Sequence, residues 1–368
     1  MYKRTWSMTA GRLLHTVVFI SVVVCLSVDT NSAQADDGEL HWSAQMRWGL
    51  EYDDNPHRLE SYEDSGAALM RYLLGADIVT DTGTSGQVTA ALRHGGTRFY
   101  DAGDANALVT QARSSGTWWP RSRLSLQVRG DVKDRTESGD DRRDYTRGGG
   151  AAQAGWSVGP LRLWSEGGWR FLAFKPTPAV SHNGPRVGAG LRWRIRDDLA
   201  LNTSWGRTWR SYATTAWEVV DDRFVPVGDG VLRDDQYDLW STALGYQDFA
   251  DARLRYQYAR NRSNSHGQQM SRHSVEATLT APVVWDIFAS VRGEIQQTRY
   301  EDPVFIDDSF HLDEDNRNTL VAAVSRQVTG PWDVELRASI FSQEFGVRGD
   351  YSRKTIAIAV RGHFDDTQ

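Results

Sequence analysis

Residues 40–52 alternate without a break. Leu40, Trp42, Ala44, Met46, Trp48, Leu50 and Tyr52 are apolar, and His41, Ser43, Gln45, Arg47, Gly49 and Glu51 between them are polar or small. A period of two puts every apolar side chain on one face of an extended strand, and a helix has no use for it. The pattern recurs along the chain. Leu124, Leu126, Val128 and Val132 interleave with Arg123, Gln127, Arg129 and Asp131, and Val187, Ala189, Leu191 and Trp193 interleave with Gly188, Gly190, Arg192 and Arg194. Similar stretches occupy 287–296, 334–343 and 356–364. Composition agrees: 33 Gly, 15 Trp, 13 Tyr and 12 Phe stand beside 10 Pro and one Cys, which disfavours helices and favours strands. A net charge of -6 lacks the basic excess of a nucleic-acid binder, so no nucleic-acid partner is expected.

Residues 1–35 read as a signal peptide. Lys3, Arg4 and Arg12 precede an apolar run at 17–28, and Ala33-Gln34-Ala35 supplies the small-x-small cleavage pattern. The run is shorter than the roughly 20 residues a spanning helix needs. Cleavage also removes Cys25, the only cysteine, so the remaining domain, 36–368, holds together without a disulfide.

Within that domain the connections alternate in length. Short turns are expected near 80–86, 119–122, 159–160, 196–198, 249–251, 282–286 and 329–333. Long polar loops are expected near 53–64, 134–144, 173–185, 211–235, 261–271, 301–315 and 346–352, with a shorter one at 101–104. This arrangement joins about 16 strands of the length that crosses a bilayer. Poor alternation at 65–79, 105–118 and 237–247 leaves 14 or 18 open.

A soluble sandwich alternates too. Uniform long strands, strictly alternating connections and apolar faces tipped with aromatics instead point to a closed barrel, because lipid cannot satisfy an open sheet edge. The expected fold is therefore all-β. It is a transmembrane antiparallel β-barrel in the outer membrane of a Gram-negative bacterium, with short periplasmic turns and long extracellular loops.

If the apolar faces meet lipid, the opposite faces line the lumen. They collect Arg47, Arg71, Arg93, Arg113, Arg123, Arg129, Arg162 and Arg170 from the first half, and Arg192, Arg194, Arg253, Arg255, Arg292, Arg337 and Arg361 from the second. Against these stand only Glu51, Asp77, Asp131, Glu166, Glu294 and Glu335. A surplus of guanidinium groups around a pore attracts anions. Trp164 and Phe288 on the same faces offer rings on which sugars stack. The loops are acidic, as at Asp53-Asp54, Asp140-Asp141, Asp221-Asp222, Asp234-Asp235 and Asp313-Glu314-Asp315. The longest, 211–235, contains 217–220 and 224–225, a potential hairpin able to constrict the channel.

No G-x-S-x-G, H-E-x-x-H or Walker loop occurs, and the histidines lack metal-ligand spacing. No catalytic residue, metal or cofactor is expected. The enzyme alternative would bring His182 and His266 together with Asp140 at the rim.

Arg47-Trp48-Gly49-Leu50-Glu51-Tyr52-Asp53-Asp54-Asn55-Pro56 resembles the first strand and loop of a broad group of outer-membrane barrels, several of which accompany exopolysaccharide machinery. The strand count is similar to the barrel domain of the poly-N-acetylglucosamine export porin. That family carries a helical-repeat periplasmic domain and an acidic lumen; this chain shows no such repeat and a basic inner face. The final alternation ending at Phe364 also resembles the assembly signal of such barrels, although Asp365-Asp366-Thr367-Gln368 follows the aromatic. The resemblance implies a stand-alone porin embedded in outer-membrane lipid, passing an acidic polysaccharide outward and served by separate periplasmic or inner-membrane export proteins. The alternative is a general or anion-selective diffusion porin for small anionic solutes.

Overall fold

The computed structural model describes residues 40–56, 66–103, 106–138, 144–176, 178–221, 223–284, 286–302, 317–343 and 351–366. The expected leader at 1–35 lies outside them, as do Asp140-Asp141, Asp222 and the acidic tip at 313–315.

The strands are β1 (Leu40–Asp53), β2 (Ala67–Asp81), β3 (Gly86–Phe99), β4 (Ala107–Arg121), β5 (Leu124–Glu137), β6 (Tyr145–Val158), β7 (Leu161–Phe174), β8 (His182–Arg194) and β9 (Leu199–Thr215). They continue with β10 (Trp217–Val220), β11 (Arg223–Pro226), β12 (Leu232–Gln247), β13 (Asp251–Ser263), β14 (Met270–Pro282), β15 (Ile287–Tyr300), β16 (Arg317–Thr329), β17 (Trp332–Gln343) and β18 (Tyr351–Asp365). All except β10 and β11 form one closed antiparallel barrel in which each strand pairs with its sequence neighbours and β1 zips onto β18. The barrel has 16 strands. β10 and β11 pair only with each other, as a hairpin between β9 and β12.

The connections alternate as the sequence requires. Two of the short turns are Gly-Pro pairs, 159–160 and 330–331, with Gly159 at φ 56° and Gly330 at φ 50°. Glycine alone takes that conformation cheaply at the first central position of a tight hairpin turn. The described helices are two 3-10 turns, Gly83–Ser85 and Pro178–Val180, and no described helix is long and apolar enough to cross a membrane.

The register assigns the two faces. On β1 the set Trp42, Met46, Trp48 and Leu50 pairs with Ile78, Leu74, Tyr72 and Met70 of β2. The same side of β18 carries Ile356, Ile358 and Val360. These large apolar groups are exposed: Trp48, Leu74, Ile356 and Ile358 stay roughly half accessible or more. The opposite face carries Gly49, Glu51, Ala357 and Ala359, and there the side chains crowd and bury one another. Crowding on one side and exposure on the other identify the polar face as concave. Exposed Trp42, Trp118, Trp156 and Trp193 lie toward the short turns, and Tyr52 and Trp169 toward the loops. These are the paired aromatic girdles of a barrel that meets two interfaces. Barrel strands run from 12 residues in β17 to 17 in β9, beyond the about 9–11 that span hydrocarbon.

The charged inner wall

The small residues of the concave face let long side chains cross a whole strand. Glu51 of β1 and Arg337 of β17 flank Ala357 of β18 in one row, and Arg337 Nη2 donates to Glu51 Oε2 at 3.0 Å across it. From the other side Arg71 of β2 donates to Glu51 Oε1 at 3.0 Å. One row further toward the turns, Glu335 of β17 accepts from both Arg47 and Arg361. Arg353 of β18 closes on Asp53 at 2.8 Å. The seam between the first and last strands is therefore laced by alternating guanidinium and carboxylate groups.

A second group lies on β5 to β8. Glu166 of β7 accepts from Arg129 of β5 and Arg186 of β8. A third centres on Glu276 of β14, held by Arg255 of β13 and by Arg292 of β15 at 3.1 Å, and Arg292 also approaches Glu294 at 3.6 Å. Asp77 pairs with Arg93 between β2 and β3 at 2.6 Å.

Not all of the cations are matched. Arg162 and Arg192 face each other across β7 and β8, and Arg194 follows on the same face of β8. They are exposed, as is Arg253 of β13. Among the described residues no carboxylate lies within ion-pair distance of these four; Arg162 donates only to Ser125 Oγ, at 3.3 Å. All four sit near the short-turn ends of their strands.

The sequence-predicted residues fall as follows. Arg47, Arg71, Arg93, Arg113, Arg129, Arg162, Arg170, Arg192, Arg194, Arg253, Arg255, Arg292, Arg337 and Arg361 all occupy the concave face, together with Glu51, Asp77, Asp131, Glu166, Glu294 and Glu335. Arg123 lies instead in the two-residue turn between β4 and β5. The reading missed, among other residues, Arg186, Glu276, Arg353 and Asp53, and the acids Asp81, Asp251 and Asp333 that share the concave face near the short turns. Arg186 continues the alternation that carries Arg192 and Arg194. Glu276 alternates with Val275, Ala277 and Leu279, so both were within reach of the same rule; Asp53 and Arg353 stand where strand gives way to loop.

Trp164 points inward, and its indole lies over Gly190 of β8, where an added Cβ would come within 2.4 Å of the ring. Glycine gives the ring its bed on the wall, and the ring is only part-exposed. Phe288 points inward at the turn end of β15 and is exposed. The hairpin forms where expected, but it leans on the neighbouring loop. His266 N–H donates to the Trp217 carbonyl at 2.7 Å and Trp217 N–H to Ser265 Oγ at 3.0 Å. The His182 and Tyr212 rings lie 5.0 Å apart at a tilt, and His266 meets Asp302 at 3.8 Å; Asp140 is outside the described residues. Among the described residues no group of three or more His, Cys, Asp or Glu side chains is arranged to hold a metal ion.

No protein-family model and no curated protein sequence matches the chain. Among solved structures it is similar to a loop L8 deletion mutant of OmpT, an outer membrane protein of Vibrio cholerae, with TM-score 0.51, 10% identity, and coverage of 89% of this chain and 100% of that one. In-vitro folded OmpT follows at TM-score 0.49, 8% identity, 91% and 100% coverage. A triple mutant of the Rhodopseudomonas blastica porin gives TM-score 0.39, 10% identity, 89% and 100% coverage. At such identities the likeness concerns the fold alone, and the first of the three carries it. This chain is a closed sixteen-stranded antiparallel barrel of the outer-membrane type.

Proposed function

We propose that the protein is an outer-membrane channel of a Gram-negative bacterium whose basic lumen conducts anions, and that its cargo is an acidic polysaccharide leaving the cell. The observation that carries this reading is the group of exposed arginines without carboxylate partners, Arg162, Arg192, Arg194 and Arg253, near the turn end of the inner wall. In barrels of this type the short turns face the periplasm, so a polyanion starting outward meets these charges at its entry, beside Asp251 and Asp333 of the same face. Deeper in, Glu51, Glu166, Glu276 and Glu335 each bind two arginines. The wall there stays positive but stiff, and it does not trap a passing chain as free guanidinium groups would. Trp164, bedded on Gly190, adds a flat apolar face beside the arginines for a sugar ring. Sixteen strands enclose an aqueous interior unless it is plugged. Movement is passive at this step, and periplasmic or inner-membrane partners supply the drive.

The test is conductance in planar bilayers. Under a salt gradient the reversal potential takes the sign of anion preference. Polygalacturonate added on the turn side blocks current at far lower concentration than neutral dextran of equal length. Cation selectivity would overturn the basic-lumen reading. Anion selectivity without polyuronate block would replace export by the diffusion-porin reading.

A further inference from the structure

The outer face of β9 and β12–β15 carries polar rows toward the loops, as does that of β3–β5, where Arg98, His94, Thr110 and Asp134 lie. On β9 and β12–β15 the register stacks them in order. The row Thr203, Thr242, Tyr256, Val275 and Ile295 is followed, two residues nearer the loops, by Trp205, Trp240, Tyr258, His273 and Gln297. In that second row Trp240 and Tyr258 rings lie 5.4 Å apart, and Tyr258 and His273 rings 4.9 Å apart. Such a girdle marks the hydrocarbon boundary. The next row outward is Arg207, Asp238, Arg260, Ser271 and Arg299, with Arg262 one step beyond, opposite Gln236.

This charged row is built rather than scattered. The Arg207 guanidinium lies 5.5 Å from the Trp205 ring and 6.0 Å from the Trp209 ring. Its Nε donates to Asp238 Oδ1 at 2.7 Å. Asp238 is wholly buried and is also approached by Arg262 at 3.6 Å. Arg260 meets Glu301 at 3.5 Å, both side chains well exposed. Arg299 has no ion pair among the described residues. Four arginines therefore share two carboxylates on the outer face, with Arg260, Arg262 and Arg299 close to the loop ends of β13 and β15 and Arg207 at the middle of β9. Arginine sits at a membrane interface by laying its stem along apolar surface and keeping its head in the polar zone. Its planar fork matches phosphate oxygens.

We infer that this row, Arg207, Arg260, Arg262 and Arg299, is a docking site for the phosphorylated headgroup of the outer-leaflet glycolipid, with Asp238 holding two of the forks in place. The inference rests on the membrane location proposed above and is independent of what crosses the lumen.

The test uses the full barrel refolded in detergent and titrated with bisphosphorylated lipid A, with the same lipid stripped of phosphate, and with inorganic phosphate. Binding is read by native mass spectrometry. The phosphorylated lipid is expected to bind at least about tenfold more tightly than the stripped one, and R260A/R299A, which leaves the Asp238 pairs untouched, removes most of that difference. Inorganic phosphate at equal concentration leaves the lipid bound. Equal affinity for the two lipids, an unchanged double variant, or displacement by free phosphate each overturns the inference. Should the double variant fail to refold, judged by heat-modifiable gel mobility, R299A alone is read. Conductance of the same preparation separates the two readings. A conducting barrel indifferent to lipid phosphate fails only here, whereas one that never inserts fails the location itself.

Discussion

Replacing Glu51 by Gln will destabilise the barrel far more than an equivalent change on its surface. The carboxylate is 3% exposed and receives Arg71 and Arg337 from strands on either side. A hydrogen bond to a charged group contributes about 1.5–3 kcal/mol, and the amide retains one acceptor oxygen, so one such bond is lost outright. The arginines then repel each other without a counter-charge; stripping a partner from a buried pair costs about 3–5 kcal/mol. Water in the lumen moderates this, because Arg71 is 38% exposed and Arg337 21%; the expected loss is about 2–3 kcal/mol. The internal control is Asp198→Asn, which breaks the exposed pair with Arg196 at 3.1 Å and is expected to cost under about 1 kcal/mol. Urea unfolding in micelles, followed by tryptophan emission, measures both. High salt will shrink the Asp198 effect and leave most of the Glu51 effect, since buried charges are poorly screened. If E51Q is no more destabilising than D198N, the seam is not held by its ion pairs and the reasoning fails.

Three further outcomes are expected. Ala357→Leu places a bulky side chain between Glu51 and Arg337 on a position 6% exposed, and should cost about 1–3 kcal/mol by overpacking, read in the same urea assay. Neutralising Arg162, Arg192 and Arg194 together to Gln should lower the anion-to-cation permeability ratio roughly tenfold without altering heat-modifiable mobility; an unchanged reversal potential would exclude these residues from selectivity. Gly190→Val drives a side chain into the Trp164 ring, already 2.4 Å from an added Cβ. It should push the indole off the wall, lowering single-channel conductance and shifting tryptophan emission.

The architecture was legible because a barrel with an apolar outer face alternates strictly, but only along the middle of its strands. On β1 the alternation covers nearly the whole strand, and residues 40–52 disclose both faces at once. On β12 it breaks down. Asp234, Gln236 and Asp238 face outward above the aromatic row, where both sides of a strand can be polar. On β2 the inner face itself turns apolar near the loops: Ala67 and Leu69 pack with Phe99 and Ala102 in a buried cluster. The arginines were legible as a face and not as a network. Glu51 and Arg337 are 286 residues apart, and only the register of β1 on β18 and of β18 on β17 brings them together. Which arginines stay free, the property the proposed transport depends on, could not be read from any single strand.

The meeting of β1 with β18 also sets a condition on how the molecule is made. The acids Glu51 and Asp53 emerge early in synthesis, and their partners Arg337 and Arg353 emerge near the end. Until β17 and β18 are in place, Glu51 has, among the described residues, only Arg71 of β2 beside it, and Asp53 lacks Arg353. Sealing the cylinder brings Arg337 onto Glu51 and Arg353 onto Asp53 together, so a chain cut before β17 would leave both acids without these partners from the far end.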